Sequence, residues 1–148
     1  MHVDVVNTIV IRRQVAEVSA YAADPDNVPR WYENIKSVEW KTSRPVQVGS
    51  QIDFVAHFLG RRLAYTYEIV EFVPGRRLVM RSPGAPFPME TTYTWEAENE
   101  GTRMSLRNRG HPSGFSAWLA PLMSVMIGRA NRKDLALLKR RLESKSPT

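Results

Sequence analysis

Residues 50–110 read SQIDFVAHFLGRRLAYTYEIVEFVPGRRLVMRSPGAPFPMETTYTWEAENEGTRMSLRNRG, and their alternation decides the fold. Gly60-Arg61 sits between two alternating runs, as a Gly-X pair does in a two-residue hairpin. That register pairs Phe58 with Leu63, Ala56 with Tyr65, Phe54 with Tyr67 and Ile52 with Ile69, all on one face. Asp53, Arg62, Thr66 and Glu68 take the other face, because strand side chains alternate with period two. Pro74-Gly75 suits a type II turn. It sets Ile69 against Met80 and Tyr67 against Ser82 inside, with Glu68 facing Arg81 outside; a bulge could shift this register. Asn99-Glu100 divides a third pair of runs, in which Trp95 meets Met104, Tyr93 meets Leu106 and Thr91 meets Asn108. Glu96–Arg103 and Glu90–Arg109 then pair opposite charges on the other face. Three hairpins share one inside.

Outward from this block the pattern changes. His2 to Arg12 is β-branched and reads as a strand. Gln14 to Ala23 has helical spacing, and Asp24-Pro25 stops it, since a residue before proline disfavours the helical region. Asp24 to Tyr32 reads as a short second helix or turn, and Ile35 to Lys41 as a strand. After Gly110-His111-Pro112 the spacing turns helical, with Pro121 at the start. Ile127, Asn131, Leu135, Leu138 and Leu142 form its apolar stripe, at three- and four-residue steps. Residues 1–143 are read as one domain and 144–148 as a frayed tail.

Composition narrows the function. The chain has 148 residues, 43% hydrophobic and 24% charged, enough for a core without staples. It has no cysteine, which excludes disulfide and thiolate chemistry. There is no basic n-region before an apolar run, and no apolar stretch approaches the roughly 18 residues that span a bilayer. A cytoplasmic protein without stable membrane insertion is expected. The +6 charge comes from arginines scattered along the chain, with no basic stripe or motif, so no nucleic-acid partner is expected. The three histidines, His2, His57 and His111, are too far apart for metal-ligand spacing. No glycine-rich phosphate loop and no nucleophile elbow is present. Neither metal nor cofactor is expected.

The inner face is aromatic with polar ends. Tyr65, Tyr67, Tyr93 and Trp95 point inward, and Thr91 and Asn108 add hydrogen-bonding groups. Asn131 sits on the helix stripe, flanked by Ile127, with Ser124 close to the same line. This is the composition of a mostly apolar pocket with a few placed polar groups, or of an aromatic core. Trp31, Tyr32, Phe87 and Trp118 lie in connections or at a helix start, where they would gate such a pocket or close the core. Leu119 to Ile127 is apolar all round, so a loop, a second subunit in a homodimer, or a membrane surface should cover it. The inner face carries no histidine and no carboxylate pair. If the protein is an enzyme, His111 and Asp134 are its candidate proton-transfer groups.

Several local patterns carry a resemblance. These are Ala23-Asp24-Pro25 followed by Trp31, Val48-Gly49-Ser50, the Glu71–Leu78 hairpin (EFVPGRRL), Gly101-Thr102-Arg103-Met104, and Leu135–Lys139 with Leu142-Glu143. Together they resemble the START-like helix-grip superfamily, of the polyketide cyclase/dehydrase and lipid-transport (SRPBCC) type. The resemblance implies an α+β fold: a seven-stranded curved antiparallel sheet around a long C-terminal helix, with two short helices between the first two strands. It implies an internal pocket for a small hydrophobic molecule, such as a lipid, an isoprenoid or an aromatic polyketide-like compound, in a carrier or sensor. A metal-free cyclase or dehydratase acting on such a molecule is the first alternative. An interaction protein with a vestigial pocket is the second.

Overall fold

The computed structural model describes residues 2–58, 60–83, 88–112 and 118–144. Strand β1 (Val3–Ile11) leads into helix α1 (Val15–Ala23), a 3-10 turn (Pro25–Asn27) and the short helix α2 (Val28–Trp31). Six strands follow: β2 (Ile35–Trp40), β3 (Gln51–Phe58), β4 (Arg61–Val73), β5 (Arg77–Ser82), β6 (Met89–Glu98) and β7 (Gly101–Gly110). The long helix α3 (Ala120–Glu143) ends the described fold. The strands form one antiparallel seven-stranded sheet in the order β1-β7-β6-β5-β4-β3-β2. The meander from β2 to β7 is thus completed by β1, which pairs with β7.

The third hairpin has the register expected from the sequence, with Trp95 opposite Met104, Tyr93 opposite Leu106 and Thr91 opposite Asn108. Asn99 occupies the left-handed region of its turn (φ +54°), which asparagine tolerates better than most residues. The second hairpin pairs Glu68 with Arg81 and Ile69 with Met80, then slips by one residue before Glu71–Val79. Its turn places Gly75 at φ +79°, and the Arg76 N–H bonds to the Val73 carbonyl. That is the proline–glycine geometry of type II.

The first hairpin differs from the expectation. Ile52 pairs with Tyr67 rather than Ile69, Phe54 with Tyr65 rather than Tyr67, and Ala56 with Leu63 rather than Tyr65. The turn closes one residue earlier, with Phe58 opposite Arg61 instead of Leu63. Gly60, at φ +77°, is its second central residue, where a positive φ is required. The register moves by two residues, so every side chain keeps its face.

The N-terminal half of α3 packs Ala120, Met123 and Ile127 on Val3 and Val5 of β1 and on Met89, and the Gly128 carbonyl accepts from Asn7 Nδ2 (3.4 Å). At the C-terminal end, Glu143 accepts from the Arg12 N–H (2.8 Å), Arg13 donates to the Leu142 carbonyl (2.9 Å) and Lys139 to the Val10 carbonyl (2.7 Å). Arg141 reaches back to the Arg30 carbonyl (2.7 Å). Leu135, Leu138 and Leu142 are fully buried there, against a core that includes Ile11, Val18, Trp31 and Trp95. Pro121 lies in the first turn, where a missing N–H costs nothing. In the N-terminal half Leu122, Val125 and Met126 are exposed. Among the described residues, no helix is long and apolar enough to cross a membrane.

Candidate functional site

Between the concave side of the sheet, α2 and the first half of α3 lies a cavity of about 390 Å³. The sheet contributes Phe54, Tyr65, Tyr67, Met80, Met89, Thr91, Tyr93 and Asn108. Val28, Tyr32 and Ile35 close one side, and Met123, Met126 and Ile127 of α3 the other. The sheet residues reach it because their parity in β3 to β7 turns them inward.

The polar groups include a hydroxyl pair and a second cluster in which Thr91 is hydrogen-bonded to both Asn108 and Tyr67. The hydroxyls of Tyr32 and Tyr93 are 2.6 Å apart. The Thr91 hydroxyl donates to Asn108 Oδ1 (2.8 Å) across β6 and β7. Burial pushes the Tyr32, Tyr67 and Tyr93 hydroxyls to ionise at higher pH than usual, so all three remain neutral donors at physiological pH. The lining aromatics fall into two groups: Tyr32 and Tyr93 lie against the buried Trp31, with ring centres 4.4 and 5.7 Å from it, and Phe54 and Tyr67 are 5.6 Å apart.

Asp134 is buried on α3 and is not among the residues that line the cavity. It is 4% exposed and its Oδ1 accepts the Glu33 N–H at 3.1 Å. Burial pushes its carboxyl up to about 6, against the pull of the Glu33 N–H. Its charge is felt by both Tyr32 and Tyr93. A buried carboxyl that titrates near neutrality can hold or release a proton.

Of the residues singled out in the sequence, Tyr65, Tyr67, Thr91, Tyr93, Asn108 and Ile127 line the cavity. Trp31 and Trp95 are buried in the core instead, the first fully and the second 3% exposed. Ser124 turns back to bond the Ala120 carbonyl (2.9 Å). Asn131 is buried on α3 without lining the cavity, and its Nδ2 has no hydrogen-bond partner among the described residues. Trp118 stands 84% exposed. His111 is exposed, with its ring 6.0 Å from that of His2, and does not line the cavity. Phe87 lies outside the described residues. Sequence reasoning missed Val28, Ile35, Met80, Met89, Met123 and Met126 as wall residues. Parity puts Met80 and Phe54 on the inner face, without singling them out as wall residues. Val28 and Ile35 could not be found from it, because tertiary packing alone brings α2 and the start of β2 over the sheet. Among the described residues, no group of three His, Cys, Asp or Glu could hold a metal ion.

Solved structures with this architecture are numerous. TTHA0849 from Thermus thermophilus superposes with a TM-score of 0.80 at 22% identity, covering 97% of this chain and 99% of that one. The di-domain ARO/CYC StfQ from the steffimycin biosynthetic pathway superposes with a TM-score of 0.79 at 14% identity, over 95% of this chain and 50% of that one. Ara h 8.0201 does so at 0.78 and 11% identity, over 98% and 100%. No curated protein matches the sequence. At these identities the likeness shows the fold alone. The family described as polyketide cyclase / dehydrase and lipid transport matches residues 2–143, nearly the whole chain, and its fold is the one found here. The chain belongs to the polyketide cyclase / dehydrase and lipid transport family.

Proposed function

We propose that this protein binds a small, mostly apolar molecule in the cavity between the sheet and α3, as a carrier or sensor. One observation carries the reading: a cavity of about 390 Å³ whose walls are largely aromatic and methionine side chains, with the Tyr32 and Tyr93 hydroxyls paired and the Thr91 hydroxyl bonded to the Asn108 amide oxygen. Its size falls in the range of small-molecule sites, and a few fixed polar groups in an apolar wall orient a ligand rather than a solvent cluster. Three methionines at the α3 and β6 side allow the wall to adapt to shape. An isoprenoid, a lipid chain or a fused aromatic with one oxygen function suits this lining.

Cyclisation or dehydration of such a molecule is the second reading, and Asp134 favours it. A carboxyl that titrates at about 6, and whose charge is felt by the Tyr32–Tyr93 pair, could relay a proton to a carbonyl oxygen held by those hydroxyls. Solved neighbours include ARO/CYC di-domains, whose length is about twice that of this chain.

Titration with N-phenyl-1-naphthylamine tests the binding reading. Micromolar affinity or better is expected, worth about 8 kcal/mol. Met123→Trp, which narrows the cavity from its half-buried α3 side, should weaken it at least tenfold. Absence of binding in the folded protein, or binding indifferent to Met123→Trp, would sink the proposal.

A further inference from the structure

The uncovered face of α3 changes character along its length. Trp118 is 84% exposed just before the helix, and Leu122, Val125 and Met126 are 57%, 57% and 60% exposed within it. Next along the helix come Arg129, Arg132 and Lys133, all exposed. Leu122, Val125, Arg129 and Arg132 recur at steps of three and four, so the apolar and cationic stretches share one face. The helix has two carboxylates, and both are engaged elsewhere. Asp134 is buried against the Glu33 N–H, and Glu143 holds Lys139 and the Arg12 N–H. The face is therefore apolar at one end and purely cationic at the other, in a chain of formal charge +6.

We propose that this face docks on an anionic lipid bilayer surface. Trp118, Leu122, Val125 and Met126 sit at the boundary between headgroups and acyl chains, while Arg129, Arg132 and Lys133 meet the lipid phosphates. Charge complementarity selects this occupant. A second copy docking through this same face would set cations on cations, or lay each cationic stretch on an apolar one, since α3 offers no free carboxylate on this face. An anionic bilayer satisfies both halves at once, and tryptophan suits the interfacial depth. The docking is peripheral, since no described helix can span a membrane. Met126 belongs to both features: it is exposed on this face and lines the cavity, beside Met123 and Ile127. A docked molecule thus holds the methionine side of its cavity against the lipid. The docking itself does not depend on what the cavity holds.

Sedimentation with vesicles tests it, using phosphatidylcholine alone and phosphatidylcholine with about 30% phosphatidylglycerol. The intact protein is expected to bind the anionic vesicles and to leave them as salt rises from about 0.1 M to about 1 M. Removing three cations together (Arg129→Ala, Arg132→Ala, Lys133→Ala) should lower partitioning about 100-fold. Val125→Glu should lower it without changing the melting temperature or probe affinity in the cavity. Bromine-labelled acyl chains should quench the intact protein, and Trp118→Phe should remove that quenching. The proposal is overturned by failure to bind anionic vesicles, or by binding that survives both the triple variant and Val125→Glu. A solution dimer that shields Trp118 and does not bind vesicles overturns it in favour of a second copy.

Discussion

The hydroxyls of Tyr32, at the end of α2, and Tyr93, in the middle of β6, meet at 2.6 Å across the cavity wall. The contact ties the helical segment to the sheet at the point where the lining changes from apolar to polar. Tyr93 is 1% exposed, so its hydroxyl depends on Tyr32 for a partner. Tyr32→Phe leaves that hydroxyl buried and unpaired and should cost about 1–2 kcal/mol in urea denaturation. Tyr93→Phe should cost less, because Tyr32 is only half-buried. In ligand titrations, either variant should weaken a ketone- or hydroxyl-bearing ligand about tenfold and N-phenyl-1-naphthylamine much less. Equal loss for both ligands would place the hydroxyl pair away from the bound molecule.

Stability should depend on pH through Asp134. Its carboxyl is raised from 3.8 to about 6 in the folded protein by burial. Between those values the folded state holds the proton more tightly than the unfolded one, so stability falls as pH rises. The contribution is fully present below pH 3.8, is lost as pH passes through about 6, and is flat above. Asp134→Asn keeps an oxygen for the Glu33 N–H and cannot ionise. The difference in unfolding free energy between Asp134→Asn and the parent should grow by on the order of 2 kcal/mol from pH 4 to pH 7. A difference that stays constant over that range would mean that the carboxyl ionises as freely as in water.

Gly101 opens β7 where it passes under the end of β1. A Cβ at this position would lie 2.6 Å from the Ile11 carbonyl oxygen, a backbone atom that cannot swing aside. Thr102 fixes the same crossing by donating to the Arg13 carbonyl at 2.7 Å. Gly101→Ala should therefore destabilise by about 1–3 kcal/mol, the range for forcing extra volume into a packed site. Thermal melts of Gly101→Ala beside the parent check this. An unchanged melting temperature would show that the two strand ends can separate freely.

The difference between what was legible in the sequence and what was not follows the range of the interactions. Hairpin parity is local, so the inward set Phe54, Tyr67, Tyr93 and Trp95 could be read directly. The slip in the first hairpin left that set untouched, because a shift of two residues preserves the face. Which inward residues line the cavity and which fill the core is a long-range matter. Trp95 and Tyr93 share a face of one strand, yet α1 and the C-terminal half of α3 bury Trp95 while Tyr93 reaches the open end. Trp31 and Tyr32 are neighbours in sequence, and only the second borders the cavity. The apolar run from Leu119 to Ile127 was visible as a run. That Leu122, Val125 and Met126 are exposed on its outer side is a tertiary outcome, since Ala120, Met123 and Ile127 take the inner contacts with β1 and Met89.

Asn131 offers a last test, because it is a buried amide on the helix stripe that carries Leu135, Leu138 and Leu142. It lies on the inner stripe of α3, 5% exposed, one helical step before Asp134 and Leu135. Its Nδ2 has no hydrogen-bond partner among the described residues, and a buried donor in that condition costs about 1–3 kcal/mol. Leucine has nearly the same volume and would extend the stripe of Leu135, Leu138 and Leu142. Asn131→Leu should therefore stabilise the protein by about 1 kcal/mol or more, read as an upward shift of a few degrees in the melting temperature. Because Asn131 does not line the cavity, affinity for N-phenyl-1-naphthylamine should stay within about threefold of the parent value. A loss of stability on substitution would mean that the amide is hydrogen-bonded after all and holds α3 in place. A large loss of probe affinity at unchanged stability would move Asn131 into the binding site.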